Sequence, residues 1–123
     1  MALTPAERDE FLAQPHIAAL SVAVGADRGP LTVPIWYQYT PGGQLWFLTG
    51  ASSRKRRALD AAGHCSLMVE RIAPSIRYVT VEGTVERIVP GTEDMLREMA
   101  RRYLPPEAVD GYVRFASEDH GEQ

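Results

Sequence analysis

Residues 49–59 read TGASSRKRRAL, and this stretch directs the interpretation of the whole chain. It follows the apolar run Leu45–Leu48, and its serines can cap a helix that continues to about Ala62 and ends at Gly63. The four consecutive basic residues Arg54–Arg57 then lie in the first turn of that helix. They are 4 of the 13 lysines and arginines in a chain whose net charge is −3.

A cluster of positive charges is unusual at the N-terminus of a helix. A helix N-terminus carries roughly half a positive charge and favours acidic residues, each by about 0.3–1 kcal/mol. Two other predicted helix starts follow that rule, with Glu7 after Thr4 and an acidic pair after Thr92. A bound anion would reverse the repulsion, because free helix N–H groups, serine hydroxyls and basic side chains together bind phosphate. The residues alone leave three readings open: an anion site, a solubilising surface, and a nucleic-acid or localisation patch.

Composition narrows the class of protein. The chain of 123 residues, 45% apolar, predicts one domain over residues 1–123 with a flexible polar tail at 117–123. The negative net charge argues against general nucleic-acid binding, and no apolar run is long enough to cross a membrane. Cys65 has no partner for an internal disulfide, and no secretory signal is evident. We therefore expect a cytoplasmic protein.

Other chemistry is poorly represented in the sequence. The three histidines, His16, His64 and His120, lack the spacing of metal ligands, so no metal site is predicted. No nucleotide-binding P-loop or nucleophile motif is present. Tyr78 and Tyr103 are candidate proton donors, but the sequence assigns no catalytic residue.

The hydrophobic pattern predicts an α+β chain with a mainly β core and peripheral helices. Five strands joined by short turns favour antiparallel pairing and a small barrel. Pro34 lacks an N–H and is expected at a sheet edge or a bulge. The predicted strands cover residues 17–24, 31–40, 44–49, 64–70 and 76–89, and the predicted helices cover 4–14, 52–62, 92–103 and 107–116.

Several motifs occur in an order that resembles the split β-barrel flavoprotein family. That family includes pyridoxamine 5'-phosphate oxidases and the flavin- or deazaflavin-dependent oxidoreductases. The matching segments are Thr49-x-x-x-Ser53-x-Lys55-x-Arg57-x-Leu59, Gly29-Pro30-x-x-x-Pro34-x-Trp36-Tyr37, Leu45-Trp46-Phe47 and Arg77-Tyr78-Val79-x-Val81-Glu82-Gly83. The resemblance covers roughly residues 7 to 90.

The resemblance implies an antiparallel split β-barrel of about six strands, in a homodimer with the cofactor at the subunit interface. Arg54 and Lys55 would hold the cofactor phosphate, with help from Ser53 and Arg57. The remaining implied contacts are Leu48 and Thr49 along the ribityl chain and the backbone of Val33, Pro34, Ile35 and Trp36 along the ring system.

Two departures narrow the activity that the resemblance implies. Val33 and Gln38 stand where the vitamin B6 oxidases carry a phosphate-binding arginine and a lysine, so that activity is not expected. The chain also ends soon after its last predicted helix, where relatives usually add a final strand. The barrel would then be incomplete or closed by the partner subunit.

The implied function is an oxidoreductase in which reduced F420 or FMN transfers hydride to a small organic acceptor. A non-catalytic flavin- or haem-binding split barrel is the alternative. A third reading is a structural dimer whose basic residues bind phosphorylated partners.

Overall fold

The computed structural model describes residues 3–50, 52–86 and 88–118, with side chains as far as Ala116 in the last helix. The elements are α1 (Pro5–Ala13), β1 (Ala18–Val22), β2 (Leu31–Ile35), α2 (Arg54–Ala62), β3 (His64–Arg71), β4 (Arg77–Thr84), α3 (Glu93–Tyr103) and α4 (Pro106–Glu118). The predicted tail overlaps the end of α4 at residues 117 and 118, and residues 119–123 lie outside the described part.

The helix starts follow the capping pattern of the sequence. Thr4 and Glu7 form a reciprocal capping box, in which the Glu7 amide donates to the Thr4 hydroxyl at 3.2 Å and the Thr4 amide to Glu7 Oε1 at 2.8 Å. Ser53 caps α2, and Gly63 ends it in the left-handed conformation at φ 75°. Thr92 caps α3. These predictions are confirmed.

The four strands form one antiparallel sheet in the order β2-β1-β3-β4. Pro34 lies opposite Ala19 on the edge strand β2, where its missing N–H removes no interior ladder bond. The antiparallel α+β architecture predicted from the sequence is therefore present. Among the described residues the sheet remains open rather than closing into a barrel.

The predicted strand at 44–49 is wrong, and the strand predicted at 31–40 is shortened to β2. Only one isolated bridge, Gln38 with Trp46, joins the two segments. The Gln38 backbone bonds to Trp46 in both directions, whereas the amides of its neighbours point to the other side: the Tyr37 amide donates to Tyr103 Oη at 3.2 Å and the Tyr39 amide to Gln38 Oε1 at 2.9 Å. The last predicted strand, 76–89, is likewise shortened to β4; residue 87 lies outside the described residues.

The core lies between the sheet and the first two helices. Phe11 and Leu12 of α1 and Leu59 of α2 pack with buried strand residues such as Leu20 and Val69. A second cluster joins α3 to α4 through Ala100, Val109 and Val113. The ion pair of Arg97 with Asp110 adds to that contact.

Candidate functional site

A cavity of about 530 Å³ opens beside the edge strand β2. Its walls come from the end of β2, the segment leading into α2, the start of α3 and the last turns of α4. This volume falls within the range of about 300–1,000 Å³ common for small-molecule sites. The lining residues are Pro34, Ile35, Trp36, Leu48, Thr49, Gly50, Lys55, Gly91, Thr92, Glu93, Leu96, Met99, Tyr112, Phe115 and Ala116.

One end of the cavity is polar. Thr49 Oγ and Ser53 Oγ lie 2.8 Å apart, and Ser53 Oγ also accepts the Arg56 amide at 3.2 Å. Lys55 lines this end, and burial lowers its pKa because the ammonium loses water. Glu93 also lines the cavity, so the cavity lining contains one cation and one anion.

Another part of the cavity lining is apolar and aromatic. The Trp36 ring stacks on Tyr103, with centroids 4.7 Å apart and planes 9° apart, and Tyr112 approaches it at 5.2 Å. Leu96 and Met99 from α3 and Phe115 from α4 continue this wall. Burial raises the pKa of the Tyr112 phenol, so its hydroxyl is protonated near neutral pH.

Hydrogen bonds from α3 hold the aromatic wall in place. Tyr103 Oη donates to the His16 carbonyl at 2.6 Å while it accepts the Tyr37 amide at 3.2 Å. The Gln38 side chain donates to Glu98 Oε2 at 3.2 Å. The Trp36 segment is therefore attached to both α3 and the loop before β1, which positions the cavity.

The structure separates the four basic residues of α2. Lys55 lines the cavity beside β2, whereas Arg54 and Arg57 line a second cavity with Val24 and His64, also about 530 Å³. Arg56 pairs with Asp60 at 3.2 Å. Successive helix residues point about 100° apart, which directs Lys55 and Arg57 to different sides of α2.

The other predicted site residues fall into two groups. Pro34, Ile35, Trp36, Leu48 and Thr49 lie in the cavity wall with Lys55. Ser53 contributes through its hydrogen bond to Thr49. Val33 instead packs against the main core.

Sequence reasoning missed the contribution of α3 and α4 to this site. Leu96 with Met99, and Tyr112 with Phe115, are each three residues apart and so share a helix face. That spacing was visible, but nothing in the sequence tells which surface each face meets.

The two candidate proton donors do not line this cavity. Tyr78 is 67% exposed on β4, and the Tyr103 hydroxyl is occupied by the His16 carbonyl. Within residues 3–50, 52–86 and 88–118, no cluster of three or more potential metal ligands is found. No helix in these ranges combines the length and apolarity needed to cross a membrane.

Comparison with solved structures shows a shared fold. The conserved hypothetical protein Rv2991 of Mycobacterium tuberculosis superposes with a TM-score of 0.64 at 23% identity, over 92% of this chain and 76% of that one. Another solved chain gives a TM-score of 0.67 at 19% identity, over 89% of this chain and 72% of its own. No curated protein sequence gives a significant match.

The family comparison covers nearly the whole sequence. Residues 4–118 match the model for pyridoxamine 5'-phosphate oxidase, which includes both the polar residues of α2 and the aromatic wall from α3 and α4. The chain therefore belongs to the pyridoxamine 5'-phosphate oxidase family.

Proposed function

We propose that this protein is an oxidoreductase that binds FMN or F420 in the cavity beside β2. Membership of the pyridoxamine 5'-phosphate oxidase family suggests flavin-related redox chemistry of this kind. The observation that supports the proposal most directly is that Thr49 and Lys55, with Ser53 bonded to Thr49, lie at the wall of one cavity that Trp36 also lines.

The polar end suits a phosphate group. The Thr49 and Ser53 hydroxyls and the N-terminus of α2 offer hydrogen-bond donors to an anion. Burial lowers the pKa of Lys55, and a nearby phosphate would stabilise the charged form again. Arg54 and Arg57, which line the other cavity, would act on the phosphate mainly through their longer-range charge.

The remainder of the cavity suits a planar ring. Pro34 presents no N–H, and Ile35 and Trp36 supply an apolar surface beside it. Bound flavin or deazaflavin supplies hydride chemistry, while these residues orient the ring and exclude water. Val33 and Gln38 in place of the oxidase arginine and lysine argue against vitamin B6 phosphate oxidation.

The proposal includes a homodimer with the cofactor at the subunit interface. A second copy would cover the open side of the cavity and complete the split barrel that the four described strands leave open. The acceptor is a small organic molecule, and the protein acts in the cytoplasm.

Titration with FMN and with F420 tests the cofactor assignment. We expect micromolar or tighter binding of one of them, and Lys55→Ala to weaken it at least tenfold. Arg57→Ala is the matched control, with less than a threefold loss, because that guanidinium donates to the Ser52 carbonyl and lines the other cavity. Circular dichroism checks that both variants keep the fold.

The affinity should also depend on pH through Lys55. A lysine titrates near pH 10.4 in the absence of perturbation. Burial lowers this pKa, so Lys55 loses its charge at a lower pH than an ordinary lysine. As the pH is raised, cofactor affinity should therefore start to decrease before pH 10.4 is reached. Full affinity in Lys55→Ala would refute the phosphate assignment, and lack of binding by either cofactor would refute the function. Binding without reduction of any acceptor would indicate the non-catalytic flavin carrier instead.

A further inference from the structure

The loop between α1 and β1 contains a histidine whose surroundings suit only its neutral form. His16 is half-buried, and its Nε2 atom is buried without a hydrogen-bond partner among the described residues. The Phe11 ring covers the imidazole, with the two centroids 4.4 Å apart. A protonated imidazole carries an N–H on both nitrogens, so protonation would place a buried donor where no acceptor faces it.

The charged groups that act on His16 in the described part of the chain are two arginines. Arg102 of α3 donates to the Gln14 carbonyl at 2.7 Å, two residues before His16. Arg71 of β3 lies 5.6 Å from the centre of the Phe11 ring. Burial lowers the pKa of His16, and the hydrogen bond with the Phe11 backbone offsets part of this effect. Both arginines lower the pKa further, because they repel an imidazolium.

The backbone of the same histidine supports the aromatic wall of the cavity. Tyr103 Oη donates to the His16 carbonyl at 2.6 Å and accepts the Tyr37 amide at 3.2 Å. The Tyr103 ring stacks on Trp36, with centroids 4.7 Å apart and planes 9° apart. The position of Trp36 in the cavity wall therefore depends on Tyr103, and the position of Tyr103 depends on the loop that contains His16.

We propose that Tyr103 is the positioning residue for the Trp36 side of the cavity, and that it holds this position only while His16 is neutral. A protonated imidazole gains free energy by leaving its buried position for water. The movement of the loop that exposes the ring also displaces the carbonyl to which Tyr103 donates, so Trp36 loses its support in acid. The consequence for cofactor affinity rests on the proposed function, whereas the movement of Trp36 does not.

Trp36 fluorescence tests the movement without any cofactor. The chain has two tryptophans, so Trp46→Phe leaves Trp36 as the only one. We expect its emission to be constant above pH 6.5, the ordinary pKa of histidine, and to shift to longer wavelength with stronger acrylamide quenching as the pH falls below that value. The sign follows from linkage: the loop that exposes His16 takes up a proton near its ordinary pKa, whereas the closed loop, with its lowered pKa, resists protonation.

Variants in the Trp46→Phe protein assign the transition to its residues. His16→Gln removes the titrating ring and should give constant emission from pH 8 to pH 5. His64→Gln is the matched control, because His64 is exposed at the start of β3, and it should retain the transition. Tyr103→Phe retains the ring but loses both hydrogen bonds, so it should show at pH 8 the emission that its parent shows in acid. Far-UV circular dichroism checks that each variant keeps its fold.

Cofactor titrations at pH 7.5 and pH 5.5 test the consequence for binding. The wild-type protein should lose several-fold more affinity than His16→Gln over this interval. The comparison removes the titration of the cofactor's own phosphate, which is the same for both proteins.

Constant Trp36 emission from pH 8 to pH 5, or the same transition in His16→Gln, would overturn the inference. Unchanged emission of Tyr103→Phe at pH 8 would overturn the role of Tyr103. An equal loss of affinity in the wild-type protein and His16→Gln would separate the movement from cofactor binding. If neither FMN nor F420 binds at either pH, the proposed function fails, and the fluorescence result decides the movement independently.

Discussion

Arg102 makes the most extensive set of hydrogen bonds around the C-terminal end of α1. Its guanidinium donates to the carbonyls of Ala13 at 2.6 Å, Gln14 at 2.7 Å and Leu12 at 3.1 Å. It also lies over the Tyr37 ring at 4.9 Å. The last turn of α1 has no basic residue of its own, so α3 supplies the cation that the negative end of this helix favours.

We expect Arg102→Met to lower the free energy of unfolding by about 3 kcal/mol, because charge-assisted hydrogen bonds to partly buried carbonyls are lost. Urea denaturation measures the change. Arg101→Met, its exposed neighbour in α3, should change the free energy by less than about 0.5 kcal/mol. Equal effects of the two substitutions would show that the Arg102 contacts contribute no net stability.

Tyr37 belongs to the same group of contacts. Its hydroxyl donates to the Leu12 carbonyl at 2.8 Å, and burial raises the pKa of this phenol to about 12. Tyr37 was predicted to lie in a regular strand, and it instead links α1 to the segment that follows β2 through this hydrogen bond.

At the scale of elements, the residue that caps α2 also contacts the cavity wall. Ser53 uses one hydroxyl for two purposes, because it accepts the Arg56 amide and contacts the Thr49 hydroxyl at 2.8 Å. The cap therefore orients a cavity residue as well as the helix start.

Ser53→Ala should lower the free energy of unfolding by about 1 kcal/mol, as expected for loss of an N-cap, and weaken cofactor binding several-fold. Thermal or urea unfolding and the cofactor titration measure the two effects. Ser52→Ala is the matched control, since Ser52 is exposed and precedes the cap. A stability loss without any change in affinity would limit Ser53 to a capping role.

At the scale of the whole molecule, apolar side chains are exposed along the β3–β4 hairpin. Met68 is 40% exposed, Tyr78 67%, Ile72 79% and Ile76 78%. Large exposed apolar groups close together are typical of protein interfaces. We propose that this hairpin packs over the cavity of the second copy, since β4 and β2 are opposite edges of the sheet and a two-fold dimer brings the hairpin of each copy to the cavity of the other.

Sedimentation velocity at micromolar concentration should show twice the mass of one chain. Met68→Glu combined with Tyr78→Glu should shift the protein toward monomer, because buried unpaired charges oppose association. Ala6→Glu on the exposed side of α1 should leave the dimer intact. A monomeric wild-type protein would contradict the dimer, and a dimeric double variant would place the interface elsewhere.

The features that the sequence determined by itself are those that depend on neighbouring residues. The Thr4, Ser53 and Thr92 caps, the Gly63 helix end and the edge position of Pro34 depend on neighbouring residues or on one backbone group, and all were predicted. The ordered motifs also identified the family, which the match over residues 4–118 confirms.

Tertiary structure decided the composition of the cavity and the end of β2. Arg54, Lys55 and Arg57 were predicted as phosphate-binding residues, and the structure places Lys55 in the wall of one cavity and Arg54 and Arg57 in the wall of another. The aromatic wall unites Trp36 with residues of α3 and α4 more than 50 positions away, and Tyr103 of α3 accepts the Tyr37 amide after β2. Such contacts depend on how helices pack against the sheet, which sequence spacing does not specify.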